Sequence, residues 1–131
     1  MKLLLILVAV ILVLVVTSRA LAGDILPASE AASRVAAGTA VLVDVREPGE
    51  WADGEVAEPA NLLSLSDLRG DRTGWKSFLA ENKDKELILY CRSGNRSGIA
   101  ARILTKEGFT VANAGGFRDW VAAGLPTRQV K

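Results

Sequence analysis

Short apolar runs alternate along this chain with segments of helical spacing. Val41-Leu42-Val43-Asp44-Val45 is rich in β-branched residues, and Leu87-Ile88-Leu89-Tyr90 is continuously apolar. Both predict buried strands. Ile25-Leu26, Asn61-Leu62-Leu63 and Thr110-Val111-Ala112 predict shorter strands, the second of them at a sheet edge. Between these lie helical patterns. Ser29 is placed to cap a helix over Glu30–Ala37, which Gly38 stops. Pro48 opens a short helix through Trp51 and Ala52. Ser66–Leu68 has room for one helical turn. Trp75–Glu81 puts Trp75, Phe78 and Leu79 on one face. A helix follows Gly98 and runs to Glu107, with Gly108 as its stop. Phe117–Ala123 closes the pattern before Gly124 and Pro126. Strand-helix alternation of this kind predicts an α/β layer around a mainly parallel sheet.

The first residues obey another rule. Met1-Lys2 carries a single side-chain charge, and Leu3 to Val16 is an unbroken apolar run of 14 residues. A membrane-spanning helix needs ~20. Thr17-Ser18-Arg19 and the A-x-A sequence Ala20-Leu21-Ala22 follow, before Gly23. The expectation is a cleaved export signal over 1–22 and one domain over 23–131. The alternative is an uncleaved segment that tethers the domain to a membrane. No cysteine stands at the end of this leader, which excludes a lipoprotein anchor.

Charge narrows the partners. Removing residues 1–22 takes Lys2 and Arg19 from the 16 basic side chains and none from the 15 acidic ones, a net charge of −1. That balance provides no basic excess for nucleic acid and no polybasic stripe for a membrane surface. There is one cysteine and no histidine. An intramolecular disulfide, a C-x-x-C redox pair, a His-activated nucleophile and a Cys- or His-ligated metal are all excluded. No cofactor is called for. A free thiol in an exported chain is unusual, and suggests that it is kept for chemistry.

That thiol is Cys91, in Cys91-Arg92-Ser93-Gly94-Asn95-Arg96-Ser97-Gly98. A predicted strand leads in and a predicted helix leads out. Ligands of parallel sheets bind beyond the carboxyl ends of strands, which is where Cys91 falls. A lone cysteine is more often a small buried hydrophobe, but these polar neighbours make poor walls for an apolar pocket. A helix N-terminus and two arginines all favour the thiolate, the nucleophilic form.

The loop Cys91–Ser97 resembles the active-site loop of rhodanese-family sulfurtransferases. Asp44-Val45-Arg46-Glu47-Pro48 with Glu50-Trp51 resembles the family's early signature, and Asn113-Ala114-Gly115-Gly116 with Trp120 its closing motif. The three motifs occur in order between Ile25 and Pro126. The resemblance implies a three-layer fold with a mainly parallel five-stranded sheet flanked by helices. It implies a Cys91 nucleophile that takes a sulfane sulfur from thiosulfate or a similar donor as a persulfide. A thiol or cyanide then accepts the sulfur, and a protein acceptor is possible. Backbone N–H groups from Arg92, Ser93, Gly94, Asn95, Arg96 and Ser97 would cradle the substrate. Arg92 and Arg96 would steer or clamp an anionic donor, or else turn to solvent or to a neighbouring carboxylate. Ser97 would donate a hydrogen bond or cap the helix. Asp44 reads as a turn residue, Arg46 as a partner for Glu50, and Trp51, Trp75 and Trp120 as core or pocket walls. One departure stands out: Gly54-Glu55-Val56-Ala57-Glu58-Pro59-Ala60 replaces the family's usual Gly-His-Ile-Pro-Gly-Ala.

Three other functions compete. A persulfide carrier would load Cys91 but deliver sulfur only to one protein. A degenerate interaction domain would not keep so complete a loop. A cysteine phosphatase or arsenate reductase needs Cys-x5-Arg, whereas here Ser97 holds that position and the arginine comes one residue early at Arg96.

The leader generates a direct test. The mature protein is expected to begin at Gly23 and to appear in a soluble extracytoplasmic, periplasmic fraction. N-terminal sequencing checks this, and Met1 retained in membranes would mean the tether.

Overall fold

The computed structural model describes residues 25–131, so the leader lies outside the described residues. The longest connection between successive elements is the stretch 70–74, so helices and strands follow one another closely. The helices are α1 (Ala28–Ala36), α2 (Pro48–Ala52), α3 (Leu65–Arg69), α4 (Trp75–Glu81), α5 (Asn95–Lys106) and α6 (Phe117–Ala122). The strands are β1 (Ala40–Asp44), β2 (Glu55–Ala57), β3 (Asn61–Leu62), β4 (Glu86–Cys91), β5 (Val111–Gly116) and β6 (Thr127–Gln129). Among the described residues, no helix is long and apolar enough to cross a membrane.

The main sheet is parallel throughout, in the order β3-β1-β4-β5. Its two central strands, β1 and β4, are the two apolar runs, as strands covered on both faces must be. Side chains alternate between those faces. Val43, Val45, Leu87, Leu89 and Cys91 pack with Leu68, Trp75, Ala100 and Leu104 on the side of α3, α4 and α5. Leu42, Ile88 and Tyr90 pack with Ala31, Ala114 and Trp120 on the side of α1 and α6. The three-layer α/β architecture therefore follows from strand parity, and the same parity turns Cys91 toward α5.

The expected fifth strand is absent from that sheet among the described residues. Ile25-Leu26 adds one backbone bond, Leu26 N–H to Asn113 O at 2.8 Å. Pro27 has no N–H to continue the ladder. Helix α1 starts at Ala28 with Pro27 at its N-cap, so Ser29 lies inside it and caps nothing. Two strands carried no sequence signal: β2 and β6 form a separate antiparallel pair, Glu55↔Gln129 to Ala57↔Thr127. The departing segment is thus ordered. Ala57 N–H donates to the Tyr90 hydroxyl at 2.9 Å, and the Glu55 carboxylate accepts from Thr127 Oγ1 at 3.0 Å.

Strand β5 extends beyond the predicted Thr110–Ala112 because its last residues are small enough to run past the Cys91 loop. Register slips between Leu89↔Asn113 and Cys91↔Gly116, which gives β5 one extra residue. A Cβ on Gly116 would overlap the carbonyl oxygen of Arg92. Gly116→Ala is expected to displace that carbonyl and destabilise the domain by about 1–3 kcal/mol, the usual scale of overpacking. Thermal denaturation checks this, and an unchanged Tm would show that the contact is not tight.

Candidate active site

Cys91 ends β4 and is 1% exposed. The chain then turns through Arg92, Ser93 and Gly94. Gly94 has φ +100°, a backbone conformation that favours glycine, and it is the N-cap of α5. This turn aims donors back at the sulfur. Gly94 N–H donates to Cys91 Sγ at 3.0 Å, and Ser97 Oγ lies 3.4 Å from it. Burial pushes the thiol pKa up. The Ser97 hydroxyl and the backbone N–H groups of Ser97, Ser93 and Gly94 pull it down, and they prevail: the net shift is downward. Hydrogen bonding therefore leads in favouring the thiolate, and the charge interaction between Arg96 and Cys91 acts in the same direction.

The two loop arginines differ. Arg96 is bidentate to Glu50, Nη1 to Oε1 at 2.5 Å and Nη2 to Oε2 at 2.9 Å. Of the alternatives for Arg96, the neighbouring carboxylate is the one realised. That pair corrects the expected Arg46–Glu50 contact. Arg46 instead grips Asp44, with Nε 3.1 Å from both carboxylate oxygens and Nη2 2.8 Å from Oδ2. Asp44 Oδ1 also accepts the Arg46 backbone N–H at 2.9 Å, so Asp44 is a turn residue as expected. Arg96 holds the Glu50 carboxyl at about 2, well below its ordinary value. A lowered carboxylate pKa means that the pair's contribution is complete above ~4.3 and is lost as pH falls toward 2. Arg92 is exposed and has no ion-pair partner among the described residues.

The remaining loop residues separate by burial. Ser97 is fully buried in the first turn of α5; Gly94, not Ser97, is the cap. Ser93 and Asn95 are exposed, and Asn95 lines a different groove beside Asn113 and Ile25. The structure adds Asn113, which sequence reasoning left without a role. Its Oδ1 accepts from Ser97 Oγ at 2.7 Å and from Gly115 N–H at 3.0 Å, and its Nδ2 donates to Gly94 O at 2.9 Å. Asn113 thus ties the end of β5 to the Cys91 loop. The available signal was a polar residue inside a strand, just ahead of Gly115-Gly116. Trp75 and Trp120 are core residues whose indole N–H groups donate to Ser64 O and Pro126 O.

A cleft of about 770 Å³ opens beside the loop, bordered by Arg46, Arg92, Ser93 and Phe117. These residues follow β1, β4 and β5, so the cleft lies at the carboxyl edge of the sheet. A buried cysteine sulfur at that edge, with hydrogen-bond donors aimed at it, suits nucleophilic attack, because those donors are placed to stabilise an anionic sulfur.

The rhodanese-like domain family matches residues 27–123, most of the chain and all of this site. The chain belongs to the rhodanese family. It is 41% identical over 93 residues to an uncharacterised Synechocystis protein, covering 70% of this chain and 48% of that one. It is 35% identical to a sulfurtransferase of Allochromatium vinosum, covering 66% and 76%. The human single-domain sulfurtransferase matches with TM-score 0.59, at 29% identity over 72% of this chain and 91% of that one. The chain spans 48%, 60% and 62% of the length of three of its curated relatives.

The donor set predicts how the rhodanese loop titrates. Alkylation of Cys91 should rise with pH through a midpoint below the ordinary cysteine value of ~8.5. Ser97→Ala removes one donor and should move that midpoint upward. Rates of iodoacetamide labelling against pH check both directions.

Proposed function

We propose that this rhodanese domain is an exported sulfurtransferase that moves a sulfane sulfur through a Cys91 persulfide. The Cys91 thiolate attacks the outer sulfur of thiosulfate or a similar donor. A Cys91–sulfur bond forms, the donor's S–S bond breaks, and sulfite leaves with the electron pair. A thiolate or cyanide then attacks the outer persulfide sulfur. The Cys91–sulfur bond breaks, and its electron pair returns to Sγ. Two half-reactions on one covalent intermediate imply ping-pong kinetics. Membership of a sulfurtransferase family supports this reading. The observation that carries it is the cysteine sulfur 3.0 Å from Gly94 N–H at the mouth of an α/β sheet. The same donors would stabilise the persulfide anion. Export rests on the apolar run Leu3–Val16 and on Ala20-Leu21-Ala22.

Phosphate chemistry fits less well. The loop is one residue shorter than Cys-x5-Arg, so its donors converge on a nearer point. Arg96, the only arginine near that position, is held by Glu50.

Treatment with thiosulfate should add the mass of one sulfur atom to the intact protein, and cyanide should remove it as thiocyanate. Cys91→Ser is nearly isosteric. It should fold normally and abolish both steps, and aryl phosphates should not be hydrolysed by either protein. Turnover near the wild-type rate in Cys91→Ser would rule out the covalent route. Loading without turnover on cyanide or small thiols would move the function to a dedicated sulfur carrier.

A further inference from the structure

The Ser97 hydroxyl has one proton and more than one acceptor within reach. Asn113 Oδ1 is nearest at 2.7 Å, Cys91 Sγ lies at 3.4 Å and Gly115 O at 3.5 Å. Ser97 is fully buried, so these protein atoms are its partners. The Asn113 amide cannot flip to offer a donor instead. Its Nδ2 donates to Gly94 O at 2.9 Å and its Oδ1 accepts Gly115 N–H at 3.0 Å, and a flip would break both bonds. Oδ1 therefore takes the Ser97 proton in the resting loop. Oδ1 also keeps Gly115 N–H when that proton turns away, so the exchange leaves no acceptor unpaired. The sulfur in turn retains Gly94 N–H at 3.0 Å whichever way the hydroxyl points.

We propose that Asn113 is a positioning residue for sulfur transfer: it holds the Ser97 hydroxyl proton while the Cys91 sulfur is uncharged and yields it to that sulfur as negative charge arrives. The inference rests on the sulfur-transfer reading and adds a residue to it. In the persulfide the charge lies on the outer sulfur, and Sγ, bonded on both sides, is a poor acceptor. The hydroxyl then stays on Asn113. As the acceptor takes the outer sulfur, the Cys91–sulfur bond breaks and its electron pair settles on Sγ. The hydroxyl turns to meet that charge, with the Ser97 O–H bond intact throughout. A donor gained only as charge develops stabilises the transition state more than the ground state. In the donor half-reaction the exchange runs backwards, and the hydroxyl withdraws to Oδ1 as Sγ shares its lone pair with the incoming sulfur.

The charged groups around the sulfur stand apart from this exchange. Arg96 interacts with Cys91 through charge and is itself held by Glu50. Arg92 is exposed, and Asp44 and Arg46 at the end of β1 pair with each other. From α6, Asp119 Oδ2 accepts Gly116 N–H at 2.8 Å.

Iodoacetamide labelling against pH reads the midpoint of Cys91. Asn113→Leu keeps the side chain's size and removes the competing oxygen. Its midpoint should fall by about half a pH unit, the scale of one hydrogen bond. In the Ser97→Ala background the same substitution should give no downward shift. A residue that merely props the loop would act differently. Losing its bonds to Gly94 and Gly115 would loosen Gly94 N–H from the sulfur and raise the midpoint in both backgrounds. Above the midpoint, kcat/KM for thiosulfate should drop about twofold in Asn113→Leu, because a thiolate of lower pKa is a weaker nucleophile. The value for cyanide should not fall. Where the leucine variant does not fold, Asn113→Ala makes the same comparison. A midpoint that rises, or that falls equally with and without the Ser97 hydroxyl, would overturn the inference. Intact mass separates the two levels. If wild type gains sulfur from thiosulfate and the midpoint moves the wrong way, only the role of Asn113 falls. If wild type gains none, the sulfur-transfer reading falls and this inference with it.

Discussion

The sulfur of Cys91 is subject to two opposed effects, and much of the surrounding structure serves to balance them. Burial at the end of a central strand disfavours an anion. Donors from the next few residues favour it, led by the Ser97 hydroxyl and joined by the N–H groups of Ser97, Ser93 and Gly94. Those donors reach the sulfur only because the chain reverses between β4 and α5. The reversal needs Gly94 at positive φ and a glycine at 116 that lets the Arg92 carbonyl pass. The extra residue in β5 and the position of Asn113 belong to the same device. Asn113 bonds both to Gly94 O and to Ser97 Oγ, and so holds the two ends of the loop together.

Around this centre, charged groups are arranged in pairs that fix backbone. Asp44 and Arg46 are both buried, and the Arg46 guanidinium lies 4.8 Å from the centroid of the Phe117 ring. Arg46 also donates to Glu55 O at 2.9 Å, which ties the β2–β6 pair to the main sheet. Leaving one partner of such a pair buried alone costs about 3–5 kcal/mol. The Glu50–Arg96 pair is partly exposed. It links the helix after β1 to the helix after the cysteine, and it takes Arg96 away from direct contact with a substrate.

This division of labour shapes the chemistry. Stabilising the sulfur anion falls to short-range donors whose geometry is set by the backbone. Arg92 and the α6 residues that line the cleft, Phe117, Arg118 and Val121, take no part in those bonds to the sulfur. A loop that spends one arginine on its own architecture suits a compact sulfur atom better than a tetrahedral oxyanion, which needs more donors and more room.

Periodicity and punctuation settled the larger elements. The runs Val41–Val45, broken only by Asp44, and Leu87–Tyr90 read as central strands because short, β-branched or apolar runs suit a strand covered on both faces. Trp75–Glu81 appears with the predicted ends. The lone cysteine between a strand and a helix, in a familiar loop, marked the site and the family. The short elements were not legible. Glu55–Ala57 and Thr127–Gln129 have too few residues to show a period, and they form strands only because each finds the other. Ile25-Leu26 had the composition of a strand, but Pro27 cut its pairing short. Partner choice among charges was likewise decided by tertiary structure. Glu50 is four residues from Arg46 and 46 from Arg96, yet it pairs with Arg96 because β1 and β4 lie side by side. Local sequence determines which residues are able to form strands, helices and ion pairs. Which of those able to pair actually meet depends on distances in space, and the packing of the sheet sets them.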